Sequence, residues 1–126
     1  GLGILGNSIP RIYTAPEILR KKGNPTPKVS FASDVYSFSI VLWQMTQQFR
    51  CIPFSDIGPD DLIQKVCKEG IRPEFAQDLM VEIWIKNVIT SGWKQSPWNR
   101  STVLQLLSVF DLHKPRSSPL TDHTIH

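Results

Sequence analysis

The pattern of apolar and polar positions predicts a chain of helices joined by proline-containing loops. The densest apolar block covers residues 31–48, where Ser33 and Asp34 suit the N-cap and first turn of a helix. Apolar residues then follow one another too closely to form a single face, so we expect this helix to be buried at the centre of the core. The β-branched and aromatic content of the block would also suit a β-strand, but its length favours a helix.

Four further helical segments are predicted, over residues 12–20, 59–69, 79–91 and 100–110. The first holds only one or two turns after Pro16, and the second begins at Pro59 and ends at Gly70. Residues 111–126 contain little to bury and are expected to form a disordered tail. Because no block favours a strand over a helix, the predicted fold class is mainly α.

Composition and charge narrow the class of protein. Of the 126 residues, 40% are hydrophobic and 20% are charged, as expected for a soluble globular protein. The longest apolar stretch, residues 40–43, is far shorter than the roughly 18 residues that cross a membrane, and no signal peptide is recognised. The net charge of +3 is concentrated in residues 1–28, which indicates a solvated basic loop rather than a nucleic-acid interface.

Few residues offer metal or redox chemistry. Cys51 and Cys67 lack CxxC spacing, so we expect two free thiols in a reducing compartment and a cytoplasmic protein. A zinc site is not expected, because the three histidines all lie in the predicted tail, at His113, His123 and His126. The GxG at the start of the chain follows no strand and opens no clear helix, so it does not predict a phosphate-binding loop.

Five segments, taken in order, resemble the C-terminal lobe of a eukaryotic protein kinase. They are T-A-P-E-I-L at 14–19, S-D-V-Y-S-F-S-I-V-L-W-Q-M at 33–45, P-F at 53–54, E-G-I-R-P at 69–73 and G-W-K-Q-S-P-W-N-R at 92–100. The order of the segments makes the resemblance specific, and it covers residues 8–110. It points to the tyrosine kinase and tyrosine-kinase-like branch. The implied fold is the helical C-terminal lobe of the protein-kinase-like fold without its N-terminal β lobe, with residues 1–110 as a partial kinase domain.

The resemblance implies structural roles for several residues. Glu17 would form a buried salt bridge with Arg100, whereas the residue pattern alone would make Glu17 a solvated carboxylate at a helix start. Asp34 would accept hydrogen bonds from the backbone of the catalytic loop, and it would also favour the start of its own helix. The tryptophans are expected to be core aromatics rather than ligand-stacking residues, namely Trp43, Trp84 and Trp93.

The resemblance also implies a substrate-docking segment, which would receive the substrate residue after the phosphorylated one. Its members are Pro10, Arg11, Ile12, Tyr13 and Thr14. Pro10 favours tyrosine-type recognition, although Arg11 and Ile12 depart from the tyrosine kinase order. Three further positions differ from the usual family residue: Ser39 replaces Gly, Gly92 replaces Cys and Ser101 replaces Pro.

The chain is not expected to be a complete enzyme. It has no strand lysine and no H-R-D-x-x-x-x-N or D-F-G motif, and no glycine-rich loop is assigned. We therefore expect this chain alone to bind no cofactor, whereas a full-length parent would use ATP and Mg²⁺ to phosphorylate a protein hydroxyl, on Tyr or on Ser/Thr. The expected partners are the kinase N-lobe and a protein substrate or regulator, with no nucleic acid and no membrane segment.

Two alternatives remain open at this stage. In the first alternative, the chain is a catalytically inactive, pseudokinase-like lobe that binds proteins, with the helix near residues 59–69 as the contact surface. In the second, it is an unrelated small helical interaction domain. In-frame H-R-D and D-F-G motifs upstream of the chain would favour the kinase.

Overall fold

The computed structural model describes residues 10–20 and 30–115, which form helices joined by loops and turns. They are α1 (Pro16–Leu19), α2 (Phe31–Thr46), α3 (Gln64–Lys68), α4 (Ile83–Gly92) and α5 (Val103–His113). Short 3-10 turns occupy Arg11–Tyr13 and Pro97–Asn99. The described residues contain no strand, which confirms the predicted mainly helical class.

Helix α2 begins three residues earlier than the sequence predicts. Ser30, in an extended conformation, is the N-cap, and its Oγ accepts a hydrogen bond from the Ser33 N–H at 3.2 Å. The Ser33 Oγ in turn accepts from the Ser30 N–H at 2.9 Å, which completes a capping box. Ser33 was therefore wrongly predicted as the N-cap, because two serines three residues apart both take part in capping.

Helix α2 is central to the core, as predicted, but the described residues cover only one of its sides. One side of the helix lies in the core, where Tyr36, Ile40 and Trp43 are buried. Large apolar side chains on the opposite side remain exposed, including Phe31, Phe38, Val41 and Met45. The apolar density of the block is real, but the described segments cover only one side of the helix.

The core has a large and a small part. In the large part, α2 packs against α4 and against loop residues, and its buried members are Ala15, Leu19, Tyr36, Ile40, Trp43, Phe54, Leu62, Val66, Ile89 and Trp93. In the small part, Val35, Val88 and Leu106 join α2, α4 and α5. Trp84, expected in the core, is only half-buried and stacks on His113 with ring centroids 4.1 Å apart.

Two other predicted helix starts differ from the structure. In the segment predicted to be helical at 59–69, only residues 62–68 are helical. This stretch includes α3, which is a π-helix, and the Glu69 N–H that follows it donates to Gln64 O at 3.2 Å. Helix α4 starts at Ile83 rather than 79, after an extended Glu82. Gly70 ends its helix as predicted, with a φ of 68° that favours glycine.

Helix α5 is shifted towards the C-terminus relative to the predicted range of 100–110. Thr102 caps it through a capping box with Gln105, so Arg100 lies outside the helix. The helix runs on to His113, so residues 111–113 do not belong to a disordered tail. The predictions for residues 1–9, 21–29 and 116–126, including the GxG and most of the tail, lie outside the described residues.

The contact between α2 and α4 depends on two small residues. A Cβ atom added at Gly92 would lie 1.9 Å from Ser39 Oγ and 3.2 Å from a Val35 methyl carbon. Ser39 is fully buried, and its hydroxyl donates to Val35 O at 2.9 Å. Ser39 therefore occupies the volume that a side chain at position 92 would need, so the two departures from the family pattern compensate each other.

We expect Gly92→Ala to destabilise the full chain by roughly 1–3 kcal/mol, because the new methyl group overpacks the buried contact. The double variant Ser39→Gly/Gly92→Ala should recover most of this loss, since removal of the Ser39 side chain reopens the space. Urea denaturation measures both, with Gly58→Ala as control, because a Cβ there has no heavy atom nearer than 3.8 Å. Equal losses in the single and double variants would contradict the coupling.

Candidate functional site

Glu17 and Arg100 form a bidentate ion pair between α1 and the turn before α5. Arg100 Nη1 donates to Glu17 Oε2 at 2.7 Å, and Arg100 Nη2 donates to Glu17 Oε1 at 2.8 Å. The side chains are 0% and 16% exposed for Arg100 and Glu17, respectively. Two parallel charge-assisted hydrogen bonds of this length fix both the distance and the orientation of the two groups. The pair that the kinase resemblance implies is thus present, across 83 residues of sequence.

The remaining donors of Arg100 all reach backbone carbonyl oxygens. Nε donates to Lys94 O at 2.8 Å, Nη2 to Gln95 O at 3.3 Å and Nη1 to Ala32 O at 3.0 Å. A guanidinium has five N–H groups, so every one has an acceptor. Full pairing is what allows a charged group to be buried. Arg100 consequently joins α1, the first turn of α2 and the turn at 94–95.

Two guanidinium groups lie against the Tyr36 ring in the core. The Arg72 and Arg100 guanidinium carbons are 5.1 Å and 5.2 Å from its ring centroid, distances at which cations are attracted to an aromatic face. Burial raises the pKa of Tyr36 to about 12, although the two arginines partly oppose this change. The Tyr36 hydroxyl is buried, and among the described residues it has no hydrogen-bond partner.

Arg72, like Arg100, donates several hydrogen bonds, and the sequence analysis did not predict a role for it. Its Nε donates to Trp93 O at 2.7 Å, its Nη2 to Gln95 Oε1 at 2.8 Å and its Nη1 to Ile71 O at 2.9 Å. Burial lowers its pKa, and the cationic Arg100 acts in the same direction. The only sequence signal was the I-R-P triplet, which does not reveal what its arginine contacts.

The predicted docking segment forms one 3-10 turn on the surface of α2. The Tyr13 N–H donates to Pro10 O at 3.0 Å, and Thr14 Oγ1 donates to the same carbonyl at 3.1 Å. Two α2 residues hold the segment: Ser37 Oγ donates to Tyr13 O at 2.7 Å, and Tyr13 Oη donates to Gln44 Oε1 at 2.7 Å. Arg11 is exposed, whereas Ile12 and Tyr13 pack against the core.

The other predicted site residues occupy different environments. Asp34 is exposed at the edge of an apolar groove, and no described residue forms a side-chain hydrogen bond with it. Trp43 is buried and its indole N–H donates to Glu74 O at 3.1 Å. Trp93 is buried with its ring against Phe75. Asp34 is therefore the one predicted site residue whose carboxylate faces open space rather than described neighbours.

Ser101 makes a contact that the proline usual at this position in the family would not make. Its N–H donates to Ser91 O at 3.2 Å, and its hydroxyl donates to Ser91 Oγ at 2.8 Å. Proline lacks the N–H group and the hydroxyl. The substitution thus adds a link between α4 and the residue before the α5 cap.

The described residues contain no group of three or more His, Cys, Asp or Glu side chains that could hold a metal ion. Within the same residues, no helix combines the length and the apolar character required to cross a bilayer. The described part of the site thus consists of the Glu17–Arg100 ion pair and the loops that Arg100, Arg72, Ser37 and Gln44 anchor.

Comparison with known proteins identifies the family. The family described as protein tyrosine and serine/threonine kinase matches residues 5–110. The chain is 34% identical over 94 residues to a probable serine/threonine-protein kinase of Dictyostelium discoideum, and 30% identical over 114 residues to the serine/threonine/tyrosine-protein kinase HT1 of Arabidopsis thaliana. It is 38% identical over 61 residues to the scaffold protein ILK of Homo sapiens. The chain belongs to the protein tyrosine and serine/threonine kinase family.

The matched regions are small parts of these relatives. They cover 75%, 88% and 48% of this chain but only 7%, 27% and 13% of the Dictyostelium kinase, HT1 and ILK, respectively. The chain thus corresponds to less than a third of the length of each of these three proteins.

We expect Glu17→Ala and Arg100→Ala each to destabilise the chain by about 3–5 kcal/mol, since each leaves the other charge without its partner. The double variant should cost much less than the sum of the two. A double-mutant cycle measured by urea denaturation gives the coupling free energy. Small and additive losses would mean that the pair contributes nothing to stability.

We expect stability to fall between pH 10 and pH 12 through Tyr36. Because the folded-state pKa is about 12 and the ordinary value is 10.0, the unfolded chain loses this proton first. The contribution, up to about 3 kcal/mol at 1.36 kcal/mol per pKa unit, is present below pH 10 and lost by pH 12. Urea denaturation at pH 8 and pH 11 should show a smaller loss in Tyr36→Phe than in the wild type. Equal losses would contradict this assignment.

Proposed function

We propose that the chain is the C-terminal lobe portion of a protein kinase domain of the tyrosine kinase and tyrosine-kinase-like branch. In its full-length form the protein would transfer the ATP γ-phosphoryl group to a protein hydroxyl. The observation that carries this proposal is the buried Glu17–Arg100 pair, since it ties the residues after the docking segment to the helical lobe. Residues 10–14 would receive the substrate, and residues 1–110 would be the lobe.

The apolar groove beside α2 supports the proposal that this chain is part of a larger kinase domain. It has two adjoining cavities of about 240 Å³ and 540 Å³ between α2, the turn at 97–99 and α5. Phe31 and Trp98, which line the larger cavity, are each 82% exposed. Exposed apolar patches of this kind mark interaction surfaces. We propose that the remainder of the kinase domain covers this groove, with backbone N–H groups of its catalytic loop donating to Asp34.

ATP and Mg²⁺ would be held by that remainder. Phosphoryl transfer needs bound metal, a positioned lysine and a residue that orients the nucleophile, and their motifs do not occur in this sequence. Gly1, Gly3 and Gly6 do have the spacing G-x-G-x-x-G, but no strand-lysine motif follows them and they lie outside the described residues. The assigned roles of this chain are substrate docking and support of the lobe.

A scaffold function is the second candidate, and the similarity to the scaffold protein ILK favours it. In this case the lobe would bind a regulatory protein and transfer no phosphate. Either function suits an intracellular protein, and we propose a cytoplasmic location. The free thiols of Cys51 and Cys67 agree with a reducing compartment.

A phosphate-transfer assay of the parent protein distinguishes the two functions. The assay uses labelled ATP, Mg²⁺ and a library of peptides that contain Tyr, Ser or Thr. Label transferred to a peptide hydroxyl supports the kinase, and phosphoamino-acid analysis identifies the residue type. A folded parent that transfers no label and binds no nucleotide would overturn the kinase proposal in favour of the scaffold.

We expect this chain alone to bind no ATP–Mg²⁺, because it carries neither the lysine nor the metal-binding Asp and Asn of kinases. Calorimetric titration of nucleotide into the purified chain, with and without Mg²⁺, measures this. Magnesium-dependent binding with a micromolar Kd would show that the chain holds a nucleotide site of its own.

A further inference from the structure

We infer that Gln95 and Arg72 are positioning residues that hold α3 in its π-helical arrangement, and that without them the end of this helix returns to α-helical spacing. Both residues lie outside α3, in the loop after Gly70 and in the turn after α4. The inference does not depend on the proposed function, because it concerns contacts within this chain only. It makes the end of α3 an element with two arrangements, between which distant side chains decide.

The backbone hydrogen bonds of α3 become wider towards its end. The Lys65 N–H donates to Asp61 O at 2.9 Å, four residues back, as in an α-helix. The Glu69 N–H donates to Gln64 O at 3.2 Å, five residues back. The Ile71 N–H donates to Lys65 O at 3.0 Å, six residues back. Because π-helical turns are rare and α-helical spacing is the ordinary one, contacts with other parts of the chain must select this arrangement.

The wide turn takes a backbone donor away from Cys67 O. With α-helical spacing this carbonyl oxygen would accept from the Ile71 N–H, which donates to Lys65 O instead. The side-chain amide nitrogen of Gln95, Nε2, donates to Cys67 O at 2.7 Å and so replaces the lost donor. A return to α-helical spacing would bring the Ile71 N–H back to Cys67 O and make the Gln95 contact unnecessary. The contact with Gln95 thus favours the π-helical arrangement over the α-helical one.

Arg72 sets the direction of the Gln95 amide. Its Nη2 donates to Gln95 Oε1 at 2.8 Å, which leaves the amide nitrogen facing Cys67 O. Arg72 is held in turn by the bond from its Nε to Trp93 O, at 2.7 Å, and by the Tyr36 ring, 5.1 Å from its guanidinium carbon. The core therefore fixes Arg72, Arg72 orients Gln95, and Gln95 pairs the carbonyl group at the end of α3.

The arrangement of α3 decides where its exposed charged side chains lie. Leu62 and Val66 are buried in the core, so this side of the helix cannot turn outwards without loss of apolar contacts. A return to α-helical spacing would remove one residue from the last turn, and the residues beyond Val66 would rotate by up to roughly 100°. Lys68 and Glu69 are exposed and would take new positions on the surface. A protein that contacts this helix would therefore meet different side chains in the two arrangements.

NMR scalar couplings across hydrogen bonds in the full chain test the inference, because they identify the acceptor of each N–H group. In the wild type, we expect the Glu69 N–H to be coupled to the carbonyl carbon of Gln64. Gln95→Leu keeps the approximate volume but removes the donor to Cys67 O. In this variant, the coupling to Gln64 should fall by roughly twofold or more, as for the loss of one hydrogen bond, and a coupling to Lys65 should appear.

A second variant separates the two contacts of Gln95. Gln95→Glu keeps an acceptor for Arg72 but has no N–H group to donate to Cys67 O. It should therefore change the couplings of the Glu69 N–H in the same direction as Gln95→Leu. Wild-type couplings in Gln95→Glu would show that the bond to Cys67 O does not select the arrangement, and they would overturn the inference.

Two controls separate a change of α3 from a general loss of stability. Gln77→Leu makes the same change at an exposed glutamine for which no side-chain hydrogen bond is found among the described residues, and it should keep the wild-type couplings. The Leu106 amide, which donates to Thr102 O in α5, should exchange its hydrogen at the wild-type rate in every variant.

Four results would contradict the inference in addition to the one named for Gln95→Glu. The first is coupling of the Glu69 N–H to Lys65 in the wild type, because α3 would then not be a π-helix. The second is an unchanged coupling to Gln64 in Gln95→Leu. The third is the same change of coupling in Gln77→Leu. The fourth is an exchange rate at Leu106 that rises as much as the rate at Glu69, which would indicate general unfolding.

Discussion

The arrangement of the described residues depends on the buried guanidinium of Arg100. All five of its N–H groups have acceptors, two on the Glu17 carboxylate and three on carbonyl oxygens from two other parts of the chain. A buried charge is tolerated only while its donors are paired, so these acceptors cannot move independently. The same group lies against the Tyr36 ring, so that the ion pair and the aromatic core share one side chain.

The packing of α2 on α4 shows that departures from a family pattern can be compensated locally. Ser39 occupies the space that a side chain at Gly92 would need, and Ser101 uses its N–H and hydroxyl to reach Ser91. Ser39 together with Gly92 preserves the close approach of α2 and α4, and Ser101 together with Ser91 adds a link between α4 and the residue before the α5 cap.

The features that we connect with function lie on the surfaces of α2 rather than inside the core. One surface holds the docking segment through Ser37 and Gln44, and the other borders the apolar groove beside Asp34. Helix α2 therefore links the proposed substrate surface to the surface on which we propose that the rest of the domain packs. A protein with a scaffold function would use the same two surfaces to bind other proteins and would transfer no phosphate.

The sequence by itself determined the helical class, because helical periodicity is local, and it indicated the kinase family, because the motifs keep their order. The partnership of Glu17 with Arg100 was implied only by the resemblance to that family. The sequence placed several helix starts wrongly. Ser30 and Ser33 both take part in capping α2, and Arg100 lies outside α5 because its side chain makes buried contacts elsewhere. Only the tertiary structure decided which side of α2 is covered, that Arg72 and Arg100 both lie against the Tyr36 ring, and that Gln44 accepts a hydrogen bond from Tyr13. These features depend on side chains distant in the sequence meeting in space, and no local pattern of apolar and polar residues specifies such meetings.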